Sequence, residues 1–237
     1  MKKFIRLKEY VLDLLFPPRC LHCQTHISGT EKESWLCHAC ENHVVIYTTL
    51  FCSVCGARLP ENMKICHKNK AYLLAAATKY DGPIRSVIRQ FKYSGWPSLS
   101  QKIGRYLGKY IKNSGLSAKN HVVIPIPLHP ERLRERGFNQ AELLSVEIAE
   151  LLELKINGEV LARTKKTSAQ AELKDHEKRK SNVAGAFEVK NPEQISGKNL
   201  ILVDDVFTSG ATMNEAVRVL REAGARKIIA FVIAKTM

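Results

Sequence analysis

The chain has 237 residues, 45% of them hydrophobic, and a formal net charge of +14. That is enough for one ordinary domain with a real core and a small appendage. No apolar run approaches the roughly 20 residues that a membrane-spanning helix needs. The charge is uneven, because residues 71–120 hold nine Lys or Arg against Asp81 alone. A basic surplus gathered in one stretch says more about partners than a global pI does.

Residues 1–19 read as an amphipathic docking helix that stops at Pro17-Pro18. Asp13 interrupts its apolar run Val11-Leu-Asp-Leu-Leu-Phe16 and no small-residue cleavage site follows, which argues against a signal peptide. Residues 20–70 contain all seven cysteines: Cys20 and Cys23, Cys37 and Cys40, Cys52 and Cys55, and Cys66. Three Cys-x-x-Cys pairs at ribbon-like intervals point to structural zinc, with disulfides as the rival reading in an oxidising compartment. A closed tetrahedral site takes four ligands, so Cys20, Cys23, Cys37 and Cys40 complete one. Cys52, Cys55 and Cys66 lack a fourth partner. His67 is the nearest donor, although adjacent residues rarely converge on one metal, and position 69, where a fourth pair would end, is Asn. A segment of this size cannot build a sufficient core without metal.

From residue 71 onward the pattern becomes that of an α/β domain. Tyr72 to Tyr80 is apolar and Ala-rich, a strand, and Asp81-Gly-Pro83 opens a helix. Ile84, Val87, Ile88 and Phe91 line one face of that helix, and Arg85, Arg89 and Lys92 another. After Ser94-Gly-Trp-Pro97 a second helix turns Leu99, Ile103, Leu107 and Ile111 inward and Lys102, Arg105, Lys109 and Lys112 outward. These basic stripes flank Tyr93 and Trp96. Cations with interleaved aromatics suit single-stranded nucleic acid, where phosphates meet charge and bases stack; the alternative is ordinary solvated helix faces.

His121 to Pro127 is a core strand leading into Leu128-His-Pro-Glu-Arg-Leu-Arg-Glu-Arg136. Leu128, His129, Arg132, Arg134 and Arg136 are placed to receive a pyrophosphate just past a strand's carboxyl end, although Glu131 and Glu135 offer the arginines local partners. A helix spans Ala141 to Leu154. Residues 163–182 are polar and nearly without apolar anchors, a lid by composition, with Lys165 and Lys166 at its base. Ala186-Phe-Glu-Val189 is a further strand.

Leu200 to Val203 is a buried parallel strand that ends in Asp204 and Asp205. Adjacent carboxylates roughly 6 Å apart repel by about 3 kcal/mol at an effective dielectric near 20, so the pair is there to meet hydroxyls or a metal. Val206, Phe207, Thr208, Ser209, Gly210, Ala211 and Thr212 then form a small-residue loop at the start of a helix carrying Ala216, Val217 and Leu220. Loop N–H groups, hydroxyls and the helix N-terminus converge on one phosphate. No Gly-Lys-Ser/Thr follows, which excludes a Walker A loop. Phosphate in the loop and a diol on the carboxylates together describe a ribose 5-phosphate. A last strand runs from Lys227 to Ala234.

The run Val203-Asp-Asp-Val-Phe-Thr-Ser-Gly-Ala-Thr212 resembles the PRPP-binding loop of type I phosphoribosyltransferases, with Ser209 in place of the usual Thr. In chain order, Leu14-Leu-Phe-Pro-Pro-Arg-Cys20, Phe91-Lys-Tyr93, Pro127-Leu128, Arg134-Glu-Arg-Gly-Phe-Asn-Gln140, Gln170, Arg179 with Asn182-Val183, and Gly185-Ala-Phe187 extend the likeness. Together they are similar to the ComF family of competence proteins over essentially the whole chain. The resemblance implies a zinc-ribbon module at 20–70 and a type I phosphoribosyltransferase fold at 71–237, an open, mainly parallel sheet with flanking helices. It also implies a PRPP site with Mg²⁺, Asp204 and Asp205 as catalytic residues, and a cytoplasmic role with single-stranded DNA and competence-machinery proteins in natural transformation. The missing eighth cysteine departs from the family's four pairs. Three functions are open: a phosphoribosyltransferase working in DNA uptake, a non-catalytic PRPP-responsive module that binds DNA or a partner, and a nucleobase phosphoribosyltransferase unrelated to DNA.

Overall fold

The computed structural model describes residues 17–33, 35–59, 66–67, 71–166 and 181–236. Residues 1–16 of the expected N-terminal helix and 167–180 of the expected lid lie outside them. A short helix, α1 (His38–Asn42), precedes strands β1 (Leu50–Cys52), β2 (Arg58–Leu59) and β3 (Leu73–Lys79). Helices α2 (Gly82–Tyr93) and α3 (Leu99–Ser114) lead to β4 (His121–Pro125), α4 (Pro130–Arg136) and α5 (Gln140–Leu152). Then come β5 (Lys155–Ile156), β6 (Leu161–Arg163), β7 (Phe187–Val189), β8 (Asn199–Phe207), α6 (Ala211–Glu222) and β9 (Lys227–Lys235).

The main sheet has the order β2-β1-β3-β9-β8-β4-β5. Strands β3, β9, β8, β4 and β5 run parallel, as expected from near-continuous apolar runs covered on both faces. Leu200 to Val203 of β8 and Ala230 and Phe231 of β9 are wholly buried. The pairing of β4 with β8, with Pro125 opposite Val203, makes the loops after both strands open at the same end of the sheet. Strands β6 and β7 form a separate antiparallel hairpin.

Helix α2 buries Ile84, Val87, Ile88 and Phe91, and α3 buries Leu99, Ile103 and Leu107, as the apolar spacing predicts. Gly115, at φ 62°, closes α3 in the left-handed conformation. Among the described residues no helix is long and apolar enough to cross a membrane.

The cysteine-rich segment is built into this body. Strand β1 pairs antiparallel with β3, Phe51 opposite Leu74 and Cys52 opposite Leu73, so the segment extends the main sheet. Cys20, Ile27 and Leu36 are wholly buried in the same apolar core as α2 and α3. Tyr106 Oη of α3 donates to Glu41 at 2.7 Å, and Tyr110 Oη donates to the Thr49 carbonyl at 3.1 Å. Strands β1 and β3, on either side of residue 70, are thus hydrogen-bonded in one sheet.

Candidate functional site

The cysteines gather into two sets. Cys20, Cys23, Cys37 and Cys40 place their Sγ atoms within 4.8 Å of one another, and Cys52, Cys55, Cys66 and His67 do the same with three Sγ atoms and a ring nitrogen. Close pairs are Cys23–Cys37 at 3.6 Å, Cys55–Cys66 at 3.3 Å and Cys52 Sγ–His67 Nδ1 at 3.6 Å. A tetrahedron with Zn–S near 2.3 Å has edges of about 3.8 Å, so both sets fit zinc. His67 completes the second, although it adjoins Cys66. The metal would act as a structural cross-link: the first set ties buried Cys20 to α1, and the second ties β1 to the segment that precedes β3.

The other site lies at the carboxyl end of β8. Thr208 to Gly210 turn the chain from β8 into α6, and Gly210 has φ 74°. A Cβ at that position would stand 2.6 Å from Phe207 Cζ, so the turn needs glycine twice over, for conformation and for space. Val206, Phe207, Thr208, Gly210, Ala211 and Thr212 line one cavity together with Asp204. Ser209 Oγ instead accepts from the Ala211 N–H at 3.4 Å, capping the loop. Gly210→Ala is expected to lower affinity for ribose 5-phosphate at least tenfold, read by calorimetry, because a left-handed alanine costs about 1–2 kcal/mol before the clash is added.

Asp205 is buried and Asp204 is half-buried beside it. The Asp205 N–H donates to Asp204 Oδ1 at 2.8 Å. Burial and the adjacent Asp205 push the Asp204 carboxyl up to about 7. Cations from three other elements face the pair. Lys92, in the last turn of α2, holds Nζ 2.8 Å from Asp205 Oδ2; burial works against its ammonium, but Asp205 outweighs that and holds it above the ordinary lysine value. Arg136 of α4 stacks 5.5 Å from the centre of the Tyr93 ring and feels both carboxylates. Arg163, at the end of β6, lies over Phe187 at 5.4 Å and feels Asp204. Burial depresses both guanidinium pKa values.

The arginines expected to act together divide. Arg132 and Arg136 sit one turn apart on α4, and Arg132 lies near both Arg136 and Arg163. Arg134, halfway round the helix, is exposed. His129 accepts from the Glu131 N–H and caps α4, while Leu128 is half-buried before it. Lys166 pairs with Glu131, and Lys165 donates to the Ala184 carbonyl at 3.4 Å, so the base of the expected lid is tied to α4 and to the turn before β7.

The basic stripes are also redistributed. Arg85, Arg89 and Arg105 are exposed, and Lys102 is half-buried. Lys109 stands 3.8 Å from Glu41 and over the Tyr106 ring. Trp96 packs against Trp35 with ring centroids 5.4 Å apart, while Tyr93 is exposed beside Arg136. Lys92 does not share the outer surface. Helical periodicity reports an angle around the axis and not a height along it. Lys92 lies nearly two turns beyond Arg85, where its flexible stem reaches the strand end. Arg163 was missed as a site cation because it reads, in sequence, as the first residue of a polar loop.

Two family models match the chain. Residues 11–69 match a double zinc ribbon domain and residues 89–237 a phosphoribosyl transferase domain. Competence protein F of Haemophilus influenzae is 26% identical over 222 residues, 89% of this chain and 93% of that protein. DNA utilization protein YhgH of Escherichia coli K12 is 28% identical over 219 residues, 91% and 90% of the two chains. Competence protein ComFC of Bacillus subtilis is 26% identical over 237 residues, covering 86% of this chain and 89% of that one.

Proposed function

Because the chain belongs to the phosphoribosyl transferase domain family, we propose that it binds PRPP with Mg²⁺ at the carboxyl end of β8 and handles single-stranded DNA in the cytoplasm during natural transformation. One observation carries the PRPP reading. A loop shaped for one phosphate adjoins two carboxylates, and Lys92, Arg136 and Arg163 face those carboxylates, with Arg132 behind the two arginines. Cationic side chains gathered beside a phosphate loop suit a multivalent anion. The 5-phosphate belongs in 206–212, the ribose diol on Asp204 and Asp205, and the pyrophosphate among the arginines. Mg²⁺ would come as part of the ligand, where it would offset the charge of the diphosphate.

For the enzyme, the chain's own contribution is to fix the ribose and receive the leaving pyrophosphate on Arg132, Arg136 and Arg163 as positive charge develops at C1′. Incubating PRPP, Mg²⁺ and each nucleobase, with and without single-stranded DNA, tests it directly. Pyrophosphate release identifies an acceptor. PRPP binding without turnover under any of these conditions supports the non-catalytic module, and no PRPP binding at all sinks the reading.

The DNA role is supported by the names of the relatives, competence and DNA utilization, and by the exposed Arg85, Arg89 and Arg105. Reversing these three to Glu is expected to weaken single-stranded DNA binding and to flatten its log–log salt slope by about 2, at 0.7 per phosphate contact. PRPP affinity should stay within about twofold. Trp96→Ala is expected to cost roughly 1–3 kcal/mol of DNA affinity with the slope unchanged. DNA binding that ignores both changes would exclude the α2–α3 face as the DNA surface.

A further inference from the structure

We propose that Lys92 is a positioning residue of the phosphoribosyl site, holding Asp205 Oδ2 so that the other carboxylate oxygen accepts from the ribose diol. The inference rests on the PRPP reading above and names a residue that the loop motif does not contain.

The geometry is specific. Lys92 Nζ meets Asp205 Oδ2 at 2.8 Å, with 24% of the lysine side chain and 8% of the aspartate side chain exposed. Helix α2 starts just after the carboxyl end of β3 and delivers Lys92 beside the carboxyl end of β8. The lysine therefore arrives from a different element than the loop it serves. A lysine is a point charge and takes one carboxylate oxygen. A bidentate arginine would cover both. Lys92 holds Asp205 Oδ2, which would leave Oδ1 as the oxygen to accept from a hydroxyl, and Asp204 Oδ1 is fixed by the Asp205 N–H.

An adjacent buried carboxylate pair tends to keep a proton, and a protonated carboxyl donates where the diol needs an acceptor. The groups that face the pair are Lys92 from α2, Arg136 from α4 and Arg163 from β6, with Arg132 behind the last two and Tyr80, after β3, near Lys92. Among these, Lys92 makes the close ion pair. Its field also lowers the proton affinity of Asp204, against burial and Asp205, which together raise it to about 7. Without Lys92, Asp204 would hold its proton to higher pH. A purely structural ion pair would stabilise the fold and leave the pH dependence of ligand binding where it was.

The test uses the full-length protein with two probes, ribose 5-phosphate and Mg²⁺-PRPP, which share the diol and differ in the diphosphate. Calorimetry from pH 6 to 9 (roughly the range that brackets the pair) reads wild type, Lys92→Met, Lys92→Gln and Lys92→Arg side by side, so that each ligand's own ionisation cancels. Lys92→Met is expected to weaken both probes by the same factor, about 10- to 100-fold, as for loss of a charged hydrogen bond. The pH at which affinity rises should move up by about one unit. Lys92→Gln should follow Lys92→Met and covers the case in which the apolar variant fails to fold. Lys92→Arg should keep the wild-type pH midpoint with an affinity between the two, because its fork competes for both oxygens. In an Asp205→Asn background, Lys92→Met should add little further loss.

Weakened PRPP with unchanged ribose 5-phosphate would make Lys92 a diphosphate-binding cation and overturn the proposal. So would unchanged affinity for both, or a pH midpoint that moves as far in Lys92→Arg as in Lys92→Met. Wild-type protein that binds neither probe would instead remove the PRPP reading itself.

Discussion

Cys40→Ser is expected to unfold far more than the ribbon to which Cys40 belongs. Structural zinc contributes about 10–16 kcal/mol to small modules of this kind, which exceeds the net stability of most domains. Here the loss is not local. Cys20, Ile27 and Leu36 are wholly buried in a core shared with α2 and α3, and Glu41 of α1 receives Tyr106 Oη and lies near Lys109. Loss of the first metal exposes this core and releases Trp96 from Trp35. Metal analysis of the wild type should return two zinc ions per chain, because His67 supplies the fourth ligand of the second set. Cys40→Ser should hold one at most and melt well below the wild type or fail to refold. His67→Cys should keep two, while His67→Ala should lose the second preferentially. One zinc in the wild type, unchanged by His67→Ala, would exclude the histidine; free-thiol titration finding disulfides in place of metal would exclude both sites.

Replacing Asp204 and Asp205 together by Ala is expected to lower Mg²⁺-PRPP affinity by more than 100-fold. Loss of hydrogen bonds to two charged acceptors accounts for about 3 kcal/mol, and the site also loses the charge that organises Lys92, Arg136 and Arg163. Unchanged affinity would remove the acidic pair from the site. Asp204 by itself makes a second demand. Its folded-state pKa, about 7 through burial and Asp205, lies above the unfolded value, so ionising it disfavours the folded state. The stability it contributes is full at pH below the unfolded pKa and is lost as pH rises through about 7. Asp204→Asn should therefore melt higher than the wild type at pH 8 and bind PRPP less well. Stability surrendered at a ligand site is the pattern expected where carboxylates are kept for function. An Asp204→Asn protein less stable than wild type at pH 8 would contradict the burial that raises the pKa.

Much of this was legible in the sequence because local signals carried it. Leu200 to Val203 could only be a strand buried on both faces, and the small residues from Thr208 to Thr212 could only be a tight turn into a helix. The apolar spacing of α2 and α3 placed their inner faces correctly. The cysteine spacing determined the first zinc set without any coordinates, since both of its pairs are local. Approaches set by chain crossing were not legible. His67 joins Cys52 across a span of 15 residues, and adjacency to Cys66 argues against it in sequence; the fold sets Cys52 of β1 beside His67 and Cys55, in the turn after β1, beside Cys66. Lys92 shares an angular face with Arg85 but not its neighbours, because the packing of α2 against the sheet, not its periodicity, decides which end lies over Asp205. Likewise β1 joins the main sheet through hydrogen bonds to β3, and a backbone edge carries no residue-type signature that a sequence could display.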